Sequence, residues 1–450
     1  MKVRTIAAGL LDGDRDRPVT TARRAFLESL FKTAVAAAHP SNYLPSLLPA
    51  PTSSGQLVAL AAGKAAGAMV DAAERHYLDD RALPASRLTG LAVTRRGYAR
   101  PTRQVRLIEA GHPIPDAAGL AATFETLALA DGAGPDDLVL VLLSGGASAN
   151  WIAPAGELSL VEKQALTRSL IGCGASIGEI NAVRKHLSRI KGGRLAERAQ
   201  PAALVTIAIS DVPRDDPAVI GSGPTVPDPT TLADARAIIA RYHLDTQRAV
   251  VAALANPANE TPKQGHPLFA GTRFELAMRP AEALAKVAAA VRAAGYDCVL
   301  LGAELEGEAR TIAAEHARLA LDLQRQGRGA VILSGGELTV TVRGQGRGGP
   351  NQEYALALAL ALGGAVGIAG LAGDTDGTDG GTGGPDDPAG AYVDNSTLAR
   401  ARRLGLDPAA FLADNNSTEF FASLGDLLIP GPTHTNVNDF RAIIVEPRGG

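Results

Sequence analysis

Six continuous apolar runs of strand length recur along the chain of 450 residues. They are LVALAAG (Leu57 to Gly63), DLVLVLLSGG (Asp137 to Gly146), ALVTIAISD (Ala203 to Asp211), DCVLLGAEL (Asp297 to Leu305), GAVILSGGELTVTV (Gly329 to Val342) and AVGIAGLAG (Ala365 to Gly373). A strand that is apolar at every residue is buried on both faces, as in parallel sheets covered by helices. Between the runs lie Ala-rich amphipathic stretches such as EALAKVAAAVRAAG (Glu282 to Gly295), each closed by a glycine that stops a helix. The alternation predicts an α/β protein whose sheets are mainly parallel. A chain of this length exceeds a single core, so two domains are expected. The Pro-, Asn- and Gly-rich segment Ala255 to Gly271 places the division between residues 1–262 and 263–450. A first helix is expected at about Arg23 to Ala38, with either domain open as its packing partner.

Composition excludes several classes of function. The net charge is −3, which gives no electrostatic case for nucleic acid or an anionic membrane. An anionic substrate would need a local basic cluster. No apolar run reaches the roughly 18 to 20 residues of a membrane span. ALALALALGGAVGIAGLAG (Ala355 to Gly373) comes nearest and is broken by glycines. The start, MKVRTIAAGLLDGDRDRPV, meets charge too soon for a signal peptide, and a cytoplasmic protein is expected. Cys173 and Cys298 lie far apart with no Cys or His neighbourhood. They are expected as buried small residues rather than a disulfide or zinc pair.

The residues able to do chemistry gather where predicted strands end. Two runs finish in Ser-Gly-Gly, at Ser144, Gly145 and Gly146 and again at Ser334, Gly335 and Gly336. Such a turn offers N–H groups and a hydroxyl at the carboxyl edge of a sheet, where open α/β sheets bind ligands. Lys64 follows one buried strand and opens a helix, a position that suits an anion, although the Walker spacing is absent. NAVRKHLSRIKGG (Asn181 to Gly193) carries Arg184, Lys185, His186, Arg189 and Lys191. It reads either as a solvated basic face or as a site for a substrate carboxylate or phosphate. Asp211 is fixed at a strand's carboxyl end, and His112 sits alone in the loop EAGHPIPD. A lone loop histidine is more often an ordinary hydrogen-bonding group.

GDTDGTDGG supplies Asp374, Asp376 and Asp379, hard oxygen ligands on a permissive backbone, or else simply turn residues. Its spacing fails the EF-hand pattern. GQGRGG (Gly344 to Gly349) spells a dinucleotide fingerprint with Asp374 as the ribose acid, which makes an NAD(P)H-dependent oxidoreductase the alternative reading. The strand before it alternates polar and apolar residues, unlike the buried first strand of a Rossmann unit, and the loop is basic. No G-x-S-x-G elbow is present.

Taken in order, GKAAGAM, GHPIPD, LSGGASA, NAVRKHLSRIKGG, SDVPRDDPAVIGSGPTVPDPTT, LSGGELTVTVRGQGRGGPNQE, AGDTDGTDGG and THTNVND resemble the glycerate 2-kinase family over roughly residues 20 to 445. The resemblance implies a Rossmann-like N-terminal domain, a C-terminal domain of the MOFRL type, and an active site in the cleft between them. It implies ATP and Mg²⁺, with phosphorylation of (R)-glycerate at the 2-hydroxyl to give 2-phosphoglycerate. The alternative label in that family is hydroxypyruvate reductase. The family's catalytic lysine falls on Lys64. Its arginine falls on Pro350, so Arg347 in the same loop is taken as the substitute, with Arg343 behind it. Asp211 is taken as a third catalytic residue, with the choice of base and of metal ligand among the aspartates left open. Ser144, Gly145, Gly146, Lys185, Lys191, Ser334, Gly335, Gly336, Asn351 and Glu353 are the expected substrate and phosphate contacts. Asp374, Asp376 and Asp379 are the expected metal ligands. Glycerate and ATP are the expected partners, with no nucleic acid and no membrane, and a homodimer is left open.

Overall fold

A computed structural model describes residues 21–244, 247–381, 384 and 386–447. The amino-terminal stretch read above for a signal peptide lies outside them. The chain divides into two units, Pro40–Met278 on one side and the chain up to His39 together with Arg279 onward on the other.

The first unit is built on a six-stranded sheet. Its strands are β1 (Leu57–Ala62), β2 (Leu88–Arg95), β3 (Arg106–Ala110), β4 (Leu138–Leu143), β5 (Ala203–Ile209) and β6 (Thr272–Met278). The order is β3-β2-β1-β4-β5-β6, and every neighbouring pair is parallel. β1 and β4 lie at the centre and are buried at all six positions each, so only apolar side chains are tolerated there. β6 pairs with β5, so the unit ends after Met278, later than the 262/263 division read from loop composition.

The second unit holds β7 (Asp297–Leu300), β8 (Glu306–Glu308), β9 (Ala330–Ser334), β10 (Glu337–Thr339), β11 (Ile368–Asp374), β12 (Gly390–Val393), β13 (Leu427–Leu428) and β14 (Asp439–Val445). Its main sheet runs β13-β12-β11-β14-β9-β7. Only β7 with β9 is parallel; the other four pairs are antiparallel. The expectation of mainly parallel sheets is therefore corrected for this unit. The apolar runs misled because helices cover both faces of an antiparallel sheet. Val331, Leu333, Leu371, Ala442 and Ile444 face the helices Thr21–Ala38 and Pro280–Ala293. Ala330, Ile332, Ala372, Ile443 and Val445 face the helices Ala309–Arg325 and Pro350–Leu362. Alternate residues thus enter opposite cores, as the strand's two-residue period requires.

The first helix packs in this second unit through Phe26, Leu27, Leu30, Phe31 and Ala34. Arg23 pairs with Glu446, and Thr435 Oγ1 donates to the Ala38 carbonyl at 2.7 Å. Among the described residues no helix is long and apolar enough to cross a membrane. Cys173 is exposed and Cys298 half-buried, both free, so neither is the interior residue expected from spacing.

Candidate active site

The strand order of the first unit reverses between β1 and β4, which opens a crevice at their carboxyl ends. Two turns close on each other there. Lys64 N donates to the Gly145 carbonyl at 2.8 Å and Ala65 N to Ser144 Oγ at 3.0 Å. Gly63 has φ +117°, and a Cβ there would lie 2.4 Å from both the carbonyl oxygen and Oγ of Ser144. Only glycine allows that approach. Ser144 and Gly145 therefore fasten the turn that aims Lys64. Gly146, with φ +84°, leaves room beside His112 and Lys64; an added Cβ would meet the imidazole at 3.0 Å and Lys64 Cγ at 3.4 Å. Asp211 follows β5, the next strand in the sheet, at the same edge.

Gly146 and His112 also line a cavity of about 380 Å³ within this unit. Lys163, Arg184 and Lys191 share the lining. Lys191 Nζ donates to the carbonyls of Ser148 and Trp151 at 2.9 and 3.0 Å, and Lys163 Nζ donates to the Leu187 carbonyl. Among the described residues none of the three cations has an ion-pair partner. Burial, with Arg184 nearby, pulls the Lys163 ammonium down to about 7. Burial, then Lys163 and Arg184, pulls Lys191 well below lysine's ordinary value, and burial lowers Arg184. Burial of this kind favours the neutral amine unless an anion offsets the charge.

Lys185, His186 and Lys191 of the basic segment are thus interior and Arg184 is half-buried, while Arg189 alone of the five is exposed. Arg184 and Lys191 turn to the cavity. Lys185 instead pairs with Asp228 at 3.1 Å, both buried, and His186 is held by the Ala182 carbonyl and Glu260. Lys185 is a structural ion pair rather than a substrate contact. Lys163 and His112 join the cavity lining although the motifs do not single out Lys163 and a lone loop histidine reads as an ordinary hydrogen-bonding group. A signal for Lys163 exists: it shares the buried stripe of the helix Leu160–Gly172 with Leu166 and Leu170. Lysine on a buried stripe is costly unless it has work there.

The second unit uses its predicted residues differently. At Ser334-Gly335-Gly336 the carbonyls of Gly335 and Gly336 accept from the Arg441 guanidinium, and Gly335 N donates to Gly302. The two carbonyls and the Gly335 N–H of that turn are engaged within the unit, and the Ser334 hydroxyl is buried without a partner among the described residues. Glu353 pairs with Arg310 at 2.6 Å and accepts from Asn415 Nδ2 at 2.9 Å, a structural role in place of the expected ligand contact. Asn351 Nδ2 donates to Asp439 at 2.6 Å, while its Oδ1 is buried without a partner among the described residues.

In the Gly-rich loop, five consecutive N–H groups from Arg343 to Arg347 are bound by Asp414, Asn415 and Asn416. A pyrophosphate would find those donors taken. The helix start behind the loop is filled too. Asp379 accepts from the N–H groups of Asn351 and Gln352 at 3.0 and 2.8 Å and from both side-chain amides. Burial pushes its carboxyl up to about 7 against those bonds. Pro350 occupies the first position of this helix, where a missing N–H costs nothing, which accommodates proline where the family arginine is matched. Arg347 is exposed and pairs with Glu419 at 2.7 Å; Arg343 is exposed as well.

The acidic loop folds on itself: Asp374 Oδ1 accepts from Asp376 N at 2.9 Å and Asp376 Oδ1 from Thr378 N at 2.7 Å. Among the described residues no three acidic, His or Cys side chains converge as a metal site. With both Asp379 oxygens spent on the helix, the three aspartates do not fit a metal as a set. The buried cations of the first unit, in contrast, fit a polyphosphate.

The chain matches the model of a domain of unknown function, DUF4147, over residues 26–255 and that of the MOFRL family over residues 330–439. A protein of Agrobacterium vitis, whose name is a provisional assignment as hydroxypyruvate reductase, is 47% identical over 94% of each chain. The D-glycerate 2-kinase of Thermotoga maritima is 37% identical over 91% of this chain and 95% of its own. The crystal structure of a glycerate kinase from Thermotoga maritima superposes with a TM-score of 0.80 at 35% identity, covering 94% of this chain and all of that one. With both family models matched, and kinase relatives alike in sequence and in fold over nearly the whole length, the chain belongs to the glycerate 2-kinase family.

Proposed function

We propose that the protein is an ATP-dependent glycerate 2-kinase. The observation that carries this reading is the first unit's crevice, where Lys64 is fixed beside a cavity lined by two buried lysines and the half-buried Arg184, none with a carboxylate partner among the described residues. Phosphoryl transfer asks a protein chiefly for positioning and positive charge. The 2-hydroxyl oxygen of (R)-glycerate attacks the γ-phosphorus of ATP, the bond to the β-phosphate oxygen breaks, and ADP leaves. The hydroxyl proton passes to Asp211. Lys64 stabilises charge on the transferring group, a role that the exposed Arg347, engaged by Glu419, is less well placed to fill. Mg²⁺ accompanies ATP in this reading, and no step is assigned to the aspartate loop. The reaction belongs to the cytoplasm, where ATP and small acids are available. The reductase alternative loses its main support, because the fingerprint loop's donors are already bound.

Incubation with ATP, Mg²⁺ and (R)-glycerate, followed by phosphorus NMR, tests the proposal through the appearance of 2-phosphoglycerate. Formation of 3-phosphoglycerate would refute the regiochemistry. NADH oxidation with hydroxypyruvate, without kinase activity, would refute the class.

A further inference from the structure

The kinase reading requires a site for a nucleotide and one for a small acid, and the cavity of the first unit distinguishes between them. Its volume of about 380 Å³ lies within the roughly 300–1,000 Å³ of pockets for drug-sized ligands. Glycerate, a three-carbon acid, would leave most of it empty. The wall includes Ile114, Ile152, Leu160 and Ile171. Ile114 and Ile171 are 62% and 60% exposed, a large aliphatic surface at the cavity's rim. A small acid carrying two hydroxyls gains nothing from such a wall, whereas a purine ring buries itself on it. Lys163, Arg184 and Lys191 supply the opposite chemistry in the same lining.

We propose that this cavity is the nucleotide site, with the base against Ile114 and Ile171 and the phosphates on Lys163, Arg184 and Lys191. The inference rests on the kinase reading and adds where ATP binds. Gly146 and His112, in the same lining and next to Lys64, direct the γ-phosphate towards the turn that carries the catalytic lysine. Lys163 and Lys191 are already anchored on backbone carbonyls, so their remaining N–H groups are held in place before the ligand arrives.

The test uses the full chain and ADP as the probe in titration calorimetry, with initial rates measured in parallel. Ile171→Asp sits on an exposed position and places a carboxylate where the base would lie. It should weaken ADP binding by about tenfold or more and raise KM for ATP similarly, leaving KM for glycerate within about twofold. Arg184→Gln should weaken ADP far more than adenosine. Unchanged ADP affinity in Ile171→Asp, or a rise confined to KM for glycerate, overturns the assignment. ADP titration needs no acceptor. A wild type that binds ADP, loses it on these substitutions and fails to phosphorylate glycerate would therefore refute the kinase reading and keep the nucleotide site.

Discussion

Replacing Gly63 by alanine strikes the crevice at the point where two turns touch. The added Cβ would stand 2.4 Å from the carbonyl and hydroxyl oxygens of Ser144 and 2.8 Å from the Gly145 carbonyl. Two of these are backbone atoms, so relief requires the turns to part. A φ of +117° in a residue with a side chain costs about 1–3 kcal/mol by itself. Parting the turns strains the Lys64 and Ala65 N–H bonds, each contributing about 0.5–1.5 kcal/mol. The expected loss is about 3–5 kcal/mol, or roughly 10 °C in Tm for a unit of this size. Trp151, the chain's one tryptophan, is buried in the same unit, so its fluorescence in urea reports on this unit specifically. Gly172→Ala is the control. It ends a helix with nothing within 4 Å of the new Cβ and should gain about 0.5–1 kcal/mol. A Gly63→Ala loss below about 1 kcal/mol, with turnover intact, would refute the claim that this contact sets the site.

Lys64→Ala should lower kcat about 100-fold or more with an unchanged melting curve, measured by coupled ADP release. Lys163→Met removes a group whose folded pKa is lowered to about 7. Between pH 7 and about 10.5 the unfolded chain holds a proton that the folded chain has shed, so wild-type stability climbs with pH across that window. The difference between wild type and variant in urea should therefore grow from pH 7 to pH 9, and parallel curves would exclude Lys163 as its source. Asp379→Ala strands several buried N–H groups and should cost about 2–4 kcal/mol without changing the Mg²⁺ concentration for half-maximal rate. A shifted Mg²⁺ requirement would restore Asp379 as a ligand. Arg347→Ala removes an exposed pair, should alter stability by less than about 1 kcal/mol and should change kcat less than threefold.

Where each residue's neighbours come from decides what its sequence can reveal. Lys64 and Ser144 follow strands that are apolar throughout, so their place at a sheet edge was visible from the runs alone. The antiparallel order of β9, β14 and β11 was not, because burial on both faces erases the alternation that distinguishes it. Asp379 looked like a metal ligand since its helix partners, Asn351 and Gln352, lie 28 and 27 residues earlier. Glu353 likewise owes its role to Arg310 and Asn415, far along the chain in both directions. Lys163 carries a readable signal in its register with Leu166 and Leu170 on the buried stripe of its helix.

The first helix, Thr21–Ala38, has a consequence for synthesis. Its partners in the sheet include Leu371 on β11 and Phe440 and Ile444 on β14, and Thr435 binds its last carbonyl. On a ribosome the helix is made before Pro40–Met278 and its berth on β11 and β14 after it. The helix must stay unclaimed for most of translation, with Phe26, Leu27, Leu30 and Phe31 uncovered meanwhile. The second unit is therefore closed by contacts between segments made before and after the whole of the first unit, a long-range step that is expected to come late and slowly.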